Sequence, residues 1–373
     1  PGATLHLWRP QRRRWCRAGR GMLAARQAGA AASKLRKVVD GQEAILDAVE
    51  HLGVDPGPIL DVSEVTPGPG LANRHLKVQC SRGSFLVKVN AGPTEVLAAE
   101  RHGLLALREA ACGLDLVIPE ALALGELPEH RGSFLVMDFF RFLPFGPSIP
   151  AVCERFGHAL ATLHSRGAAA AASVADGAQG PRYGFGGRDT YLGGSLQDNT
   201  PGEDFAQFFI ERRLRPQLER ATLKFQYRYG TTNEANTAIA RLYDRVLARA
   251  TDVLQPLRHC APSLLHGDLW SGNIGATAER QPIMVDPACW YGHAEFDLAL
   301  SHLFGRFGPP FYEAYFEVLP RAPGYEERQE VYLLYHMLNQ ANLHGAGFGR
   351  GGSAEHPGGY LEMAIATMER LAR

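Results

Sequence analysis

The stretch Leu264-Leu265-His266-Gly267-Asp268-Leu269-Trp270-Ser271-Gly272-Asn273, followed by Met284-Val285-Asp286-Pro287, decides the reading of this chain. An Asp is followed five residues later by an Asn and eighteen residues later by a second Asp, each beside an apolar run. In that order a phosphotransfer loop supplies a base for an acceptor hydroxyl, Asp268, and two oxygen ligands for magnesium, Asn273 and Asp286. Magnesium takes hard oxygen donors and keeps some waters, so one amide and one carboxylate suffice beside the phosphates of ATP. His266 reads as a brace that holds the loop by hydrogen bonding. A metal-hydrolase reading fails, because no second His or Cys cluster surrounds the loop at ligand spacing.

Upstream, His75–Cys80 and Ser84–Asn90 flank a Ser81-Arg82-Gly83 turn and read as a β-hairpin. Period-two alternation puts Phe85, Val87 and Val89 on one face, with Leu86 and Lys88 on the other. A Lys midway along an apolar strand matches the kinase strand whose Lys holds the α- and β-phosphates. Glu100, twelve residues on in the helical stretch Glu95–Arg108, stands where it could pair with Lys88. Gly68 and Gly70 are a weaker phosphate cradle: glycine backbone approaches phosphate closely, but Pro69 between them offers no N–H. The apolar strand Phe134–Phe139, with Met137 as its nucleotide-facing residue, sits where a kinase joins its lobes.

Beyond that strand the pattern turns helical. Val152, Phe156, Leu160 and Leu163 share one helical face, and Ala168–Gly180 reads as a mobile loop. Leu192–Glu203 reads as irregular, whereas Phe205–Arg220, Ala235–Leu254, Glu295–Phe304, Phe311–Leu319 and Glu326–Leu343 carry apolar residues three and four apart. Few strands are expected after the hairpin region. The fold class is α+β: a protein-kinase-like two-lobe fold with a small β-rich N-lobe over residues 40–140 and a larger helical C-lobe over 141–373.

Charge divides the 373 residues unevenly. Formal net charge is zero, yet residues 1–37 hold ten of the 39 basic residues and no acid, leaving about −10 on the remainder. An acidic body argues against nucleic acid as the main partner. The Arg- and Ala-rich leader, residues 1–39, reads as an organelle transit peptide, with the chloroplast as the expected compartment, or else as untranslated sequence ahead of Met22, with the cytoplasm as the alternative. Six cysteines without paired metal spacing point to a reducing compartment. No apolar run approaches the roughly 18 residues of a membrane span.

Outside the leader the chain has two tryptophans, Trp270 and Trp290, both near the phosphotransfer loop. Aromatic faces suit the apolar side of a sugar, so both are substrate candidates. Asp297 stands where it could reach back to brace the loop.

Leu264–Asn273, Val285-Asp286-Pro287-Ala288, Tyr291-Gly292-His293 and Glu295-Phe296-Asp297 together resemble the fructosamine 3-kinase (ketosamine 3-kinase) family. Gly83–Asn90, Tyr183-Gly184-Phe185, Gln197-Asp198-Asn199, Arg213-Leu214 and Tyr332–Tyr335 with Leu338-Asn339 extend the likeness over residues 41–350, most like plant and algal members. The chain departs from the family pattern at Thr200–Phe205, at Gln340 and His344, and at Leu71, where many members carry Cys. The resemblance implies ATP- and Mg2+-dependent phosphorylation of the sugar O3 of ketosamines, free or on glycated protein lysines. Phosphate at that carbon lies near a carbonyl and is eliminated, which restores the amine. Plant-like members favour ribulosamine and erythrulosamine, and His293 joins Trp270 and Trp290 as a substrate candidate. The competing readings are a kinase of an aminoglycoside or choline-like alcohol on the same scaffold, and a silent nucleotide-binding module. Intact Lys88, Asp268, Asn273 and Asp286 argue against the latter.

Overall fold

The structure, a computed structural model, describes residues 42–50, 55–65, 73–146, 148–173, 182–226, 234–305, 307–349 and 359–373. In chain order it opens with α1 (Gln42–Glu50), β1 (Ile59–Val65), β2 (Arg74–Cys80), β3 (Gly83–Asn90) and α2 (Thr94–Ala110). There follow β4 (Ala121–Glu126), β5 (Ser133–Asp138), β6 (Leu143–Pro144), α3 (Pro150–Ser173), β7 (Thr190–Leu192) and β8 (Ser195–Gln197). Next come α4 (Phe205–Phe209), a π-helical turn (Ile210–Leu214), α5 (Arg215–Gln226) and α6 (Glu234–Leu254). The chain continues through β9 (Ser263–Leu265), β10 (Ile274–Ala276), β11 (Pro282–Met284) and β12 (Trp290–Gly292). Four helices finish it: α7 (Glu295–Ser301), α8 (Pro309–Val318), α9 (Tyr325–His344) and α10 (Tyr360–Leu371).

Alternation in the early strands builds a five-stranded antiparallel sheet in the order β1-β2-β3-β5-β4. One face carries Leu76, Val78, Phe85, Val87, Val89, Phe134 and Val136, packed against Ile45 and Val49 of α1. The opposite face carries Leu86, Leu135 and Met137, packed with Leu97, Leu104 and Leu107 of α2. Lys88 shares this second face. It sits in the middle of the sheet, paired with His75 on one side and Leu135 on the other.

The rest of the chain is mostly helical, so the fold is a two-lobe α+β arrangement. Seven short strands nevertheless follow β5, against the expectation of few. They are only two or three residues long, too short to show a period. The stretch expected to be irregular contains the β7–β8 hairpin, turned by Gly193 at φ 61. Helix α3 runs on to Ser173, where a loop was expected from Ala168. An alanine run is the strongest helix former, and it outweighs the glycine content beyond it. The expected helix Phe205–Arg220 is interrupted by the π turn and extends to Gln226, while α7 stops at Ser301 rather than Phe304. The start of α4 is capped by Asp204, whose side chain accepts from Gln207 N at 3.0 Å.

Candidate active site

Two short antiparallel pairings assemble the loop. In the first, β9 pairs with β12, with Leu265 opposite Trp290. In the second, β10 pairs with β11, with Ile274 opposite Met284, and Val285 N donates to Asn273 O at 2.9 Å. Asn273 and Asp286, thirteen positions apart in sequence, therefore leave the same end of one hairpin. The ladder register makes them neighbours.

Asn273 spends its amide N–H groups on Asp268, donating to the backbone O at 2.8 Å and to Oδ2 at 2.9 Å. That leaves its Oδ1 as the atom available to a cation. His266 Nε2 donates to Val285 O at 2.8 Å, so its Nδ1 is the acceptor facing Asp268 N at 3.3 Å. Burial lowers the His266 pKa, which keeps the ring neutral and that tautomer in place.

Asp297, at the start of α7, accepts from His266 N at 2.7 Å and from Gly267 N at 2.8 Å. Gly267 itself is held at φ 81, where a Cβ would collide with Ala288 O. Sequence reasoning missed the next shell. His164 of α3 approaches Asp297 Oδ2 at 3.2 Å through Nε2, and its Nδ1 meets Tyr315 OH at 2.8 Å. The signal was a lone His on a buried helical face, whose partners lie 133 and 151 residues away.

Lys88 Nζ lies 2.5 Å from Glu100 Oε1 and 2.5 Å from Asp286 Oδ1. It is 1% exposed. Burial opposes the ammonium, but Asp286 and Glu100 outweigh it and hold Lys88 charged. Burial likewise works against ionised Asp286, and Lys88 overcomes it, holding that carboxyl below the usual range. Asp268 behaves oppositely: burial pushes it up to about 7, aided by Asp286 and Asp297 and resisted by the Asn273 hydrogen bond. Asp286 also adopts φ 58, a left-handed conformation that Asp enters more readily than most residues.

The remaining candidates separate. Met137 is 1% exposed and packs on the Lys88 face of the sheet, so it backs the cleft rather than lining it. Trp270 is half-buried against Phe304, with ring centroids 5.0 Å apart. Trp290 is not a substrate face. It is 2% exposed, stacked on Phe205 and Phe208 and edge-on to Phe296, because β12 turns it into the aromatic core. The guanidinium of the buried Arg213 lies 4.5 Å from its ring centroid and donates to Asp198 O and Asn199 Oδ1. His293 is mostly buried and bonded through Nδ1 to Tyr332 OH at 3.0 Å, with burial bringing its pKa to about 3. It reads as a neutral packing partner rather than a sugar contact. Gly68, Gly70, Leu71 and the leader lie outside the described residues.

A buried sheet Lys paired with a helix Glu, beside a loop Asp, an Asn and an Asp just past a strand end, defines a kinase-type phosphotransferase. The comparisons narrow that class. A model of the fructosamine kinase family matches residues 50–354. A chloroplastic protein-ribulosamine 3-kinase of Arabidopsis thaliana is 37% identical over 288 residues, covering 75% of this chain and 77% of the relative. Its counterpart in Oryza sativa subsp. indica is 36% identical over 291 residues, covering 75% and 74%. Among solved structures, a candidate fructosamine-3-kinase of Thermobifida fusca superposes with a TM-score of 0.65 at 26% identity, over 88% of this chain and 97% of that one. An aminoglycoside phosphotransferase superposes with a TM-score of 0.55 at 14% identity, over 85% and 95%, a likeness of fold alone. The chain belongs to the fructosamine kinase family.

Proposed function

We propose that this chain transfers the γ-phosphoryl group of ATP to the O3 hydroxyl of ketosamines, with ribulosamine and erythrulosamine adducts of amines preferred. The observation that carries this reading is Asp268, its pKa raised by burial, set close to the charged Lys88–Asp286 contact. Lys88 would hold the α- and β-phosphates, steadied by Glu100. Asp268 would orient the acceptor hydroxyl and take its proton late, as the new P–O bond forms and the bond to the departing ADP breaks. Asn273 braces Asp268 from one side and His266 from the other, so the carboxylate is positioned before the acceptor arrives.

The donor set fits magnesium. Asn273 Oδ1 and the Asp286 carboxylate are hard oxygens on adjacent chain ends. Among the described residues no group of three or more His, Cys, Asp or Glu gathers elsewhere to hold a metal. Two protein ligands leave room for phosphate oxygens and water, as that ion prefers. When bound there it would neutralise charge on the phosphates.

The plant relatives named for ribulosamine support the sugar preference, and the word chloroplastic in their names supports a plastid role for the basic leader. No helix among the described residues is long and apolar enough to cross a membrane. The test is ADP release with a panel of ribulose-, erythrulose- and fructose-lysine. Turnover is expected on all three, fastest on the first two. Background rates across the panel would reject the reading, and turnover confined to an aminoglycoside would replace it.

A further inference from the structure

Helix α2 supplies Glu100 and packs on the small-lobe sheet, and the same apolar cluster runs on into the helical lobe. Leu97, Leu104 and Leu107 belong to the apolar cluster that runs through the helical lobe and includes Ala288 and Cys289. The separate cluster on the far face of the sheet contains α1 and no residue of α2. Gly103 lies three residues after Glu100, on the same helical face. A Cβ at Gly103 would stand 3.1 Å from Cys289 Sγ and 3.2 Å from Pro287 Cγ, tighter than ordinary van der Waals contact. The Cys289 thiol is fully buried and donates to Gly103 O at 3.6 Å. Pro287, Ala288 and Cys289 follow Asp286 directly. The backbone of α2 therefore rests on the segment that leaves the candidate metal ligand.

We infer that Gly103 and Cys289 are positioning residues, forming a seat that fixes α2 against the chain after Asp286 and so sets Glu100 and Lys88 in register for nucleotide phosphates. The inference rests on the reading of Lys88 as the phosphate ligand. Three contacts then form one linked set: Gly103 on Cys289, Glu100 on Lys88, and Lys88 on Asp286. A side chain at Gly103 lifts the helix by a few tenths of an ångström. The lift lengthens the 2.5 Å Lys88–Glu100 contact and shifts the ammonium relative to Asp286, out of the register that phosphates require. The acceptor loop touches the same segment through Ala288 N, which donates to His266 O at 2.8 Å, but Asp297 holds it as well through His266 N and Gly267 N, so the larger effect falls on the nucleotide end.

Gly103→Ala gives a sharp test, because the intrinsic effect has the opposite sign. Ala is favoured over Gly inside a helix, so without a seat this change leaves the protein as stable or more so. Titration calorimetry with magnesium AMP-PNP should show Gly103→Ala binding between about fivefold and a hundredfold more weakly, the range set by overpacking. The acceptor KM should change less than the nucleotide affinity. Cys289→Ala in the same chain removes the sulfur that the new methyl meets, so Gly103→Ala/Cys289→Ala should recover affinity toward that of Cys289→Ala alone. Wild-type affinity in Gly103→Ala, or a loss that the double variant does not relieve, would overturn the seat. A melting temperature that falls while the folded fraction binds nucleotide as tightly as before would also overturn it. Wild-type protein that binds no nucleotide would instead bring down the reading of Lys88 itself.

Discussion

Asp286 faces an ammonium, while Asp268 faces an amide and two other carboxylates. The two side chains are chemically identical and share one cleft, yet the first is held below its ordinary pKa and the second is pushed up to about 7. Burial acts on both in the same sense, so the neighbours decide the outcome. A group meant to hold positive charge must stay ionised across the working pH range. One meant to accept a proton needs a pKa near that range, because a carboxylate at 4 would be too weak a base. On the proposed reading the contrast divides the site: phosphates would sit at Lys88 and Asp286, and the acceptor hydroxyl at Asp268.

The largest expected effect comes from abolishing the proton-accepting end. Asp268→Asn preserves the size of the side chain but cannot take a proton, and should lower kcat on the order of 10²–10⁴. Nucleotide affinity, governed by the other end, should change little. Steady-state kinetics beside a nucleotide titration separates the two. A variant that keeps most of its kcat would remove Asp268 from the chemistry.

Breaking the charge-holding end comes next. Lys88→Met leaves Glu100 and Asp286 facing each other with no cation between them. It also removes charge-assisted hydrogen bonds to phosphate, each contributing about 1.5–3 kcal/mol, or roughly 10- to 150-fold in affinity. Asp286 should lose its depressed pKa at the same time. If magnesium AMP-PNP binds Lys88→Met as tightly as the parent, the phosphates lie elsewhere.

The two ends were unequally legible. A period-two strand and a Lys in its middle placed Lys88 on the correct face, and Glu100 fell within reach because helix geometry is local. The loop was also readable, since five residues separate Asp268 from Asn273 and one hairpin brings Asp286 back. What failed depended on distance. Trp290 and Trp270 look alike in sequence, but strand pairing turned Trp290 into a core of Phe205, Phe208 and Phe296 from two other helices. His164, itself bonded to Tyr315, braces Asp297 from 133 residues away, with no motif to announce it. Arg213 is 1% exposed, and its visible reason is a ring sandwich plus backbone and amide oxygens that only the fold supplies. Helix α2 packs on the small-lobe sheet, but the apolar cluster it joins runs on into the large lobe, a continuity that spacing alone does not show.

The smallest effect sharpens the contrast most, because it reads the pKa of Asp268 without any substrate. The folded-state pKa lies above the ordinary value of an unfolded Asp, near 4. The folded protein therefore keeps a proton that the unfolded chain has already lost, and stability declines as pH rises from about 4 to about 7. Above that range the ionised carboxylate is a standing cost, which Asn does not carry. Asp268→Asn should accordingly be more stable than the parent at pH 8, by about 1 kcal/mol after discounting for the partial exposure of Asp268. That corresponds to a melting-temperature gap of about 2 °C, closing as pH falls toward 4. The kcat/KM of the parent for the acceptor should rise with pH over the same window and level off above about 7. A melting gap that stays constant between pH 4 and 8 would mean that Asp268 ionises like a solvent-exposed acid, and the distinction between the two aspartates would collapse.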